Sequence, residues 1–200
     1  MPVQGFGCGP FRIRIAGPAD AETICRITRE AFSEFEGRVH PPFRALAETP
    51  ELIRDEMADG FVYALAAAGR EPAGHVRYRL RPGYVHVSRL AVLPDYRGHG
   101  AGRKLMSWVE DEARRLGVAL LRGEVRTCMD NLLNYYLAMG YEPVGTRSLA
   151  GVPACLTIIE KRLNASPKEP DDEPIWVEEQ EIAWELLHPA LAALLRPRTH

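Results

Sequence analysis

The stretch Leu90-Ala-Val-Leu-Pro-Asp-Tyr-Arg-Gly-His-Gly-Ala-Gly-Arg-Lys104 decides the fold of this 200-residue chain. An apolar strand runs through a proline into a glycine-rich turn, and the turn opens an amphipathic helix predicted over 100–116. Gly98, Gly100 and Gly102 lack a Cβ, so backbone N–H groups can approach a ligand there. The helix N-terminus adds free N–H donors and the positive end of its dipole. The stretch therefore predicts an anion site suited to a diphosphate.

Two arginines flank this turn. Arg97 and Arg103 add positive charge, and a planar guanidinium matches phosphate oxygens.

Other phosphate motifs fit less well. A P-loop requires Gly-Lys followed by Ser or Thr, and the turn reads GxGxGR, which displaces the third glycine of the dinucleotide fingerprint GxGxxG. The alternative, a merely structural glycine turn, leaves the coincidence of strand, basic flanks and helix unexplained.

The hydrophobic period changes repeatedly on both sides of this stretch. Period-two patterns predict strands over 11–15, 61–68, 72–80, 84–92, 118–125, 141–149 and 154–162. Helical patterns and caps predict helices over 18–32, 50–57, 100–116 and 132–139, with a loop over 33–48. This order predicts an α/β (α+β) fold, in which a mixed sheet carries helices on both faces.

Composition excludes several classes of protein. The formal net charge is −2, whereas a nucleic-acid binder that depends on phosphate contacts needs a basic surplus. The longest apolar run, 61–68, is far shorter than the roughly 20 residues of a membrane span. Residues 1–10 lack the features of a signal peptide, so we expect a cytoplasmic protein without membrane or nucleic-acid partners. The four cysteines form no CxxC pair and the histidines are scattered, so no metal site is expected.

Charge and proline content divide the chain. Residues 1–163 are predicted to form one domain, and 164–174, with three prolines and four acidic residues, to form a linker. Residues 175–200 have helical spacing, interrupted at Pro189, and are predicted to be a helical extension. A role of this extension in forming a homodimer is one alternative for its function.

Three motifs resemble one known family. Arg97-Gly-His-Gly-Ala-Gly102 resembles the [QR]-x-x-G-x-[GA] signature of the GNAT superfamily of acetyl-CoA-dependent N-acetyltransferases. Arg89-Leu-Ala-Val-Leu-Pro94 is similar to that family's fourth strand. Asn134-Tyr-Tyr-Leu-Ala-Met-Gly-Tyr141 is similar to a later helix that usually ends in an aromatic-Tyr pair and then Gly-Phe. The resemblance covers about residues 11–163.

This resemblance implies a GNAT-like, mostly antiparallel sheet of six to seven strands that splays between strands 84–92 and 118–125. It implies acetyl-CoA as the co-substrate and no metal. Strand backbone exposed by the splay would hydrogen-bond to the pantetheine amides, and these main-chain contacts fall at Leu90, Ala91 and Val92. The diphosphate-binding amides fall at Arg97, Gly98, His99, Gly100, Ala101 and Gly102, with further charge from Arg103.

The resemblance also implies a general acid for the thiolate that leaves during acetyl transfer. Tyr136 stands at the family's position for this tyrosine, four residues before the glycine of the later motif. The alternative is that Tyr136 packs in the core while Tyr135 faces the polar side. The family's usual asparagine falls at Met129, so Asn131 and Asn134 are the nearest candidates for that cofactor contact, and Asn131 is equally suited to cap the helix.

A base must take the proton of the acceptor amine. His86, eleven residues before Arg97, stands where histone-acetylating relatives carry a glutamate, and an imidazole of pKa near 6.5 can accept a proton near neutrality. The alternative is a histidine that is hydrogen-bonded in the sheet. Glu124 is the second candidate for the base, unless it forms a salt bridge with Arg122 or Arg126, and ordered water is a third. Regular alternation would place His86 on the face toward the cleft with Tyr84, Ser88 and Leu90.

The acceptor is a small-molecule or peptide amine of undetermined kind. Glu34, Glu36, His40 and Phe43 lie in the loop 33–48, at the family's acceptor-binding position, and either shape that pocket or have no role. Aminoglycosides, polyamines, amino acids and protein N-termini all remain candidates. The predicted function is acetyl transfer from acetyl-CoA to a primary amine by direct attack. The alternative is a non-catalytic module that binds or senses acyl-CoA.

Overall fold

A computed structural model describes residues 11–163. Within these residues, seven strands form one sheet in the order β1-β2-β3-β4-β5-β7-β6, and every neighbouring pair is antiparallel except β4 and β5. The strands are β1 Arg12–Ile15, β2 Val62–Ala68, β3 Glu71–Arg81, β4 Tyr84–Val92, β5 Leu120–Arg126, β6 Glu142–Leu149 and β7 Val152–Arg162. The sheet confirms the predicted fold class. The linker and helical extension predicted over 164–200 lie outside the described residues.

In the described part of the chain, four α-helices cover the two faces of the sheet, as predicted. They are α1 Ala21–Phe32, α2 Pro50–Ala58, α3 Ala101–Arg115 and α4 Asp130–Leu137. Alternate residues of the strands contribute to two separate cores, because successive side chains of a strand point to opposite faces. One core joins Val85, Val87 and Leu121 to α3, with α4 packed against it. The other joins Tyr63 and Leu65 to α1 and α2.

Strands β4 and β5 separate along most of their length. Only two register pairs join them, Val85 with Leu121 and His86 with Arg122. Beyond His86 the edge of β4 that faces β5 has no register partner among residues 11–163, while its other edge stays paired to β3 as far as Val92. The predicted splay is therefore present, and it begins beyond Val87, whose carbonyl oxygen would still lie 3.3 Å from a Cβ on Gly123.

A bulge interrupts β4 between its paired end and the glycine-rich turn. Arg89 has a φ of 52°, and the register with β3 shifts by one residue at this point. As a result, Leu90 packs with the core beneath α3, whereas Ala91 joins the core beneath α1 and α2. The expectation that Leu90 shares a face with His86 is wrong, because the extra residue reverses the alternation. A Cβ on the facing Gly74 would lie 2.6 Å from the carbonyl oxygen of Ala91, which makes glycine necessary there.

Helix α4 begins two residues earlier than predicted. Its first residue is Asp130, and Met129 occupies the N-cap position without a side-chain hydrogen bond. Asn131 lies inside the helix and is exposed, so its suggested role as the cap is wrong. No helix within residues 11–163 has both the length and the apolar character needed to cross a membrane.

Candidate active site

The glycine-rich turn presents a row of free backbone donors. Gly98 and Gly100 have φ values of 75° and 86°, and Gly100 is the N-cap of α3. The first helical N–H to find a backbone acceptor is that of Lys104, which donates to the carbonyl of Gly100 at 2.9 Å. Within the described residues, the N–H groups of residues 98–103 have no hydrogen-bond acceptor. These free donors at a helix N-terminus fit the diphosphate of acetyl-CoA.

The backbone amide of Arg97 is expected to bind the diphosphate, but in the structure this residue holds the turn in place. Its backbone N–H donates to the carbonyl of Pro94 at 3.1 Å. Its guanidinium donates to the carbonyls of Ala31 at 2.9 Å and Val92 at 3.1 Å, and to Glu34 at 2.5 Å. The arginine therefore ties the turn to the C-terminal end of α1, and the amide of Arg97 is not among the free donors. Arg103, on the first turn of α3, is exposed and remains available.

Gly102 has a packing role that the sequence did not indicate. A Cβ built on Gly102 would lie 2.6 Å from the hydroxyl oxygen of Tyr135 and 3.6 Å from the side chain of Val92. The missing side chain therefore accommodates α4 rather than opening space for a ligand. Burial raises the pKa of Tyr135, and nearby Arg103 opposes this rise.

Tyr136 lies deeper against the core beneath α3. Its ring makes edge contacts with the rings of Tyr135 and Tyr141, at centroid distances of 5.4 and 5.5 Å. Burial raises the pKa of Tyr136, and Tyr135 adds to the effect, so the phenol keeps its proton across the neutral range. Both tyrosines pack on the same core, so packing alone does not separate the candidate acid from its neighbour.

His86 and Glu124 share a cavity of about 380 Å³ at the paired end of β4 and β5. Its other charged and aromatic lining residues are Arg81, Tyr84, Arg122 and Arg147. Because Val85 and Val87 point into the core beneath α3, the side chain of His86 points to the opposite face of the sheet. The sequence candidates for acid and base thus lie on opposite faces, on either side of the gap between β4 and β5.

The electrostatics of this cavity keep the imidazole of His86 neutral. Burial lowers the pKa of His86 below its usual 6.5, and the positive charges of Arg77, Arg81 and Arg147 lower it further. The negative charge of Glu124 acts in the opposite direction without reversing the shift. A neutral imidazole at physiological pH can accept a proton.

Glu124 forms an ion pair that the sequence analysis did not identify. Arg147, on β6, donates to both of its carboxylate oxygens, at 2.8 and 2.7 Å. The suggested partners Arg122 and Arg126 are engaged elsewhere. Arg122 donates to Glu160 on β7 at 2.7 Å, and Arg126 donates to the carbonyl of Pro41 at 2.7 Å. Residues two apart on a strand share a face, but each of these arginines finds its partner on a neighbouring element.

Part of the loop 33–48 packs against β5. Phe43 contacts the rings of Phe32 and Phe35, and the Arg126 guanidinium lies 5.1 Å from its centroid. Glu34 pairs with Arg97, so both Phe43 and Glu34 have partners outside the loop. Glu36 and His40 are exposed. These contacts connect the loop to both the glycine-rich turn and β5.

Buried ion pairs were missing from the sequence analysis. Glu48, which is 1% exposed, pairs with Arg89 at the β4 bulge, and Glu56 of α2 pairs with Arg77 of β3. No periodicity links these residues, because their partners are distant in the chain. Across residues 11–163, no group of three His, Cys, Asp or Glu side chains forms a candidate metal site.

Comparison with known proteins agrees with this geometry. The model of the acetyltransferase (GNAT) family matches residues 22–141. The aminoalkylphosphonate N-acetyltransferase of Salmonella typhimurium is 29% identical over 116 residues, which cover 46% of this chain and 73% of the relative.

Two solved structures show the same fold. The PaiA N-acetyltransferase of Thermoplasma acidophilum, solved with coenzyme A, has a TM-score of 0.66 at 18% identity, covering 77% of this chain and 99% of that one. The ribosomal-protein-S18-alanine N-acetyltransferase of Escherichia coli has a TM-score of 0.62 at 18% identity, covering 80% and 97%. With the family match over more than half of its length, the chain belongs to the GNAT acetyltransferase family, and it is an acetyl-CoA-dependent N-acetyltransferase.

Proposed function

We propose that this enzyme acetylates a primary amine by direct transfer, with His86 as the base and Tyr136 as the acid. The gap between β4 and β5 carries the proposal, because it joins the free amides of the turn to a cavity that holds a neutral imidazole. The relative from Salmonella typhimurium is named for acetylating an aminoalkylphosphonate, which is an amine.

Acetyl-CoA supplies the acetyl group as a thioester when it is bound. The N–H groups of residues 98–103 would hold its diphosphate, and the unpaired edge of β4 at Leu90, Ala91 and Val92 would hold its pantetheine arm. Asn131 is exposed near the start of α4 and is proposed as a further contact. The elements β4 and α3 that flank the turn pack against the two cores, which supports a preorganised site.

His86 is the better candidate for the base. An alkylamine has a pKa near 10 and arrives mostly protonated, so its proton must be removed before the nitrogen can attack. The pKa of the His86 imidazole is lowered by burial, which leaves the ring ready to take this proton. Glu124 already accepts two hydrogen bonds from Arg147, so its proposed role is to orient the acceptor or the imidazole from beside His86.

Tyr136 is proposed to hold the proton that the departing sulfur requires. Burial raises the pKa of its phenol, so the proton stays on the oxygen until a thiolate forms nearby. Its place on the face opposite His86 separates the group that removes a proton from the group that supplies one. His86 can then take the amine proton on one side of the gap while Tyr136 supplies a proton to the sulfur on the other side.

Release of the CoA thiol over a panel of amines tests this proposal. We expect turnover with at least one small primary amine, and loss of that turnover in a double variant His86→Gln/Tyr136→Phe that still binds acetyl-CoA. The non-catalytic module predicts acetyl-CoA binding without thiol release for every amine. That result, with a folded wild-type protein, would contradict the proposed function.

A further inference from the structure

The geometry points to an acceptor that carries an anionic group beside its amine, with the guanidinium of Arg81 as the residue that binds this group. This inference rests on the proposed amine acetylation and deepens it by naming the class of acceptor. It concerns the cavity that holds His86, where the charges of the lining residues do not balance.

Most arginines of the cavity already have an acidic partner. Arg147 is paired with Glu124, and Arg122 is paired with Glu160. Arg81 lines the same cavity and is exposed, and among the described residues its guanidinium has neither an ion pair nor a hydrogen bond. Among these residues its guanidinium therefore keeps its donors free to bind an anionic group that enters the cavity.

A second arginine adds to this positive charge. Arg79 is the direct cross-strand partner of His86. Its guanidinium carbon lies 4.9 Å from the centroid of the Phe61 ring, and it has no acidic partner among the described residues. Arg79 and Arg81 both lie on the β3 face that carries the cavity, because they are two residues apart. The cavity therefore has more positive than negative charge, although the whole chain has a net charge of −2.

The register places Arg81 at a useful distance from His86. Arg81 is paired with Tyr84, and His86 follows Tyr84 by two residues on the same face. Such diagonal neighbours have Cα atoms roughly 7–8 Å apart. A short aliphatic molecule can therefore place its amine at His86 and its anionic group at Arg81, where a guanidinium binds carboxylate or phosphonate oxygens in a bidentate manner.

The same charges exclude two of the acceptor classes left open by the sequence. Polyamines and aminoglycosides carry several positive charges and would be repelled by Arg79 and Arg81. A zwitterionic amine is attracted through its anionic group. Its ammonium is at the same time destabilised by the arginines around His86, which favours loss of the proton before attack.

Four probes of similar length test the inference: 4-aminobutyrate, 3-aminopropylphosphonate, butylamine and 1,4-diaminobutane. We expect kcat/KM for at least one anionic amine to exceed that for butylamine by about tenfold or more, with 1,4-diaminobutane poorest. Arg81→Gln should shrink this ratio about tenfold, mainly through KM for the anionic amine. The matched control Arg70→Gln, in the exposed turn between β2 and β3, should leave the ratio unchanged. The better of the two anionic probes identifies a carboxylate or a phosphonate acceptor.

The possible failures can be told apart. Acetylation of butylamine or 1,4-diaminobutane as efficiently as both anionic amines would overturn this inference and leave the proposed function intact. If none of the amines is acetylated, calorimetric titration with butyrate and propylphosphonate, which lack the amine, tests the anion site alone. Binding that is lost in Arg81→Gln and kept in Arg70→Gln supports it, and absence of binding to the wild type contradicts it.

Discussion

The hydroxyl of Tyr135 occupies the space that a side chain on Gly102 would need, with only 2.6 Å between that oxygen and an added Cβ. Helix α4 and the first turn of α3 are therefore packed through this glycine. The tip of an aromatic ring can move only if the rest of the ring moves, and Tyr135 is packed against the core beneath α3. The contact connects the diphosphate-binding turn to the helix that bears Tyr136.

This contact predicts a specific double-mutant result. Gly102→Ala should lower the free energy of unfolding by about 1–3 kcal/mol, because it overpacks the contact with Tyr135. In a Tyr135→Phe background the same change should cost clearly less, since the clashing oxygen is gone. Urea unfolding of the four proteins measures the coupling. Additive effects would show that the two residues do not interact.

Gly100 provides a test of the diphosphate site. Gly100→Glu places a carboxylate beside the free amides of residues 98–103, and like charge should weaken acetyl-CoA binding by several kcal/mol, on the order of a charge–charge contact near a surface. Gly69→Glu is a suitable control, because Gly69 also has a positive φ and lies in an exposed turn. Calorimetry should show weaker binding only for the first variant. Equal affinities in two folded variants would place the diphosphate elsewhere.

The two adjacent tyrosines should differ in their kinetic effects. Tyr136→Phe removes only a hydroxyl, and we expect kcat to fall about 10²-fold with little change in acetyl-CoA affinity. Tyr135→Phe should leave kcat close to that of the wild type. Steady-state kinetics with the preferred amine and direct binding of acetyl-CoA separate the two effects. The reverse pattern would assign the acid to Tyr135.

The pH dependence should reveal the lowered pKa of His86. The group must be neutral to accept a proton, so kcat/KM should rise with pH through a pKa below 6.5 and then level off. His86→Gln cannot titrate in this range and should lower the rate and remove this limb. The profile needs an acceptor, so it follows the amine panel. A limb that persists in the variant would move the role to Glu124 or to water.

A second histidine should affect stability rather than activity. His75 is fully buried, its Nε2 lies 2.8 Å from the hydroxyl oxygen of Thr28, and burial lowers the pKa of the ring to about 3. The unfolded chain therefore binds one more proton than the native state between pH 6.5 and about 3, so stability falls as pH falls through this window.

The expected slope from His75 is about 1.4 kcal/mol per pH unit at most. Chemical unfolding at several pH values, compared between the wild type and His75→Gln, isolates this contribution from that of the carboxylates. The variant should show a shallower fall in stability toward acid. Parallel curves for the two proteins would mean that His75 is protonated in the native state.

The sequence predicted the fold well because the signals for its elements are local. Alternation, caps and the glycine-rich turn depend on neighbouring residues, and all seven strands and four helices are present near their predicted bounds. The bulge at Arg89 escaped detection because the glycine or asparagine that usually marks a left-handed position is missing there, and the change of face was missed with it. A left-handed arginine is held by its buried partner Glu48, which lies 41 residues away.

The candidate site was predictable only in part, for a related reason. His86 and Glu124 could be placed together because each lies on a strand whose position the fold determines. The side-chain partners of Arg97 and Glu124 could not, because the choice among several nearby charges depends on packing between distant segments. The unpaired state of Arg81 becomes visible only after every other ion pair around the cavity has been assigned.

The bulge in β4 shows that the number of residues in the strand, odd or even, decides which face the following side chains occupy. Side chains alternate with a period of two, so an odd number of added residues exchanges the two faces for everything that follows. Arg89 is the point at which the two faces exchange. His86 precedes it, and the residues that lead into the glycine-rich turn follow it. Removing one residue here would keep most of the composition of β4 and yet turn the phosphate-binding end over relative to the cavity. Among sequences that share this arrangement, substitutions in β4 should therefore be far better tolerated than single-residue insertions or deletions.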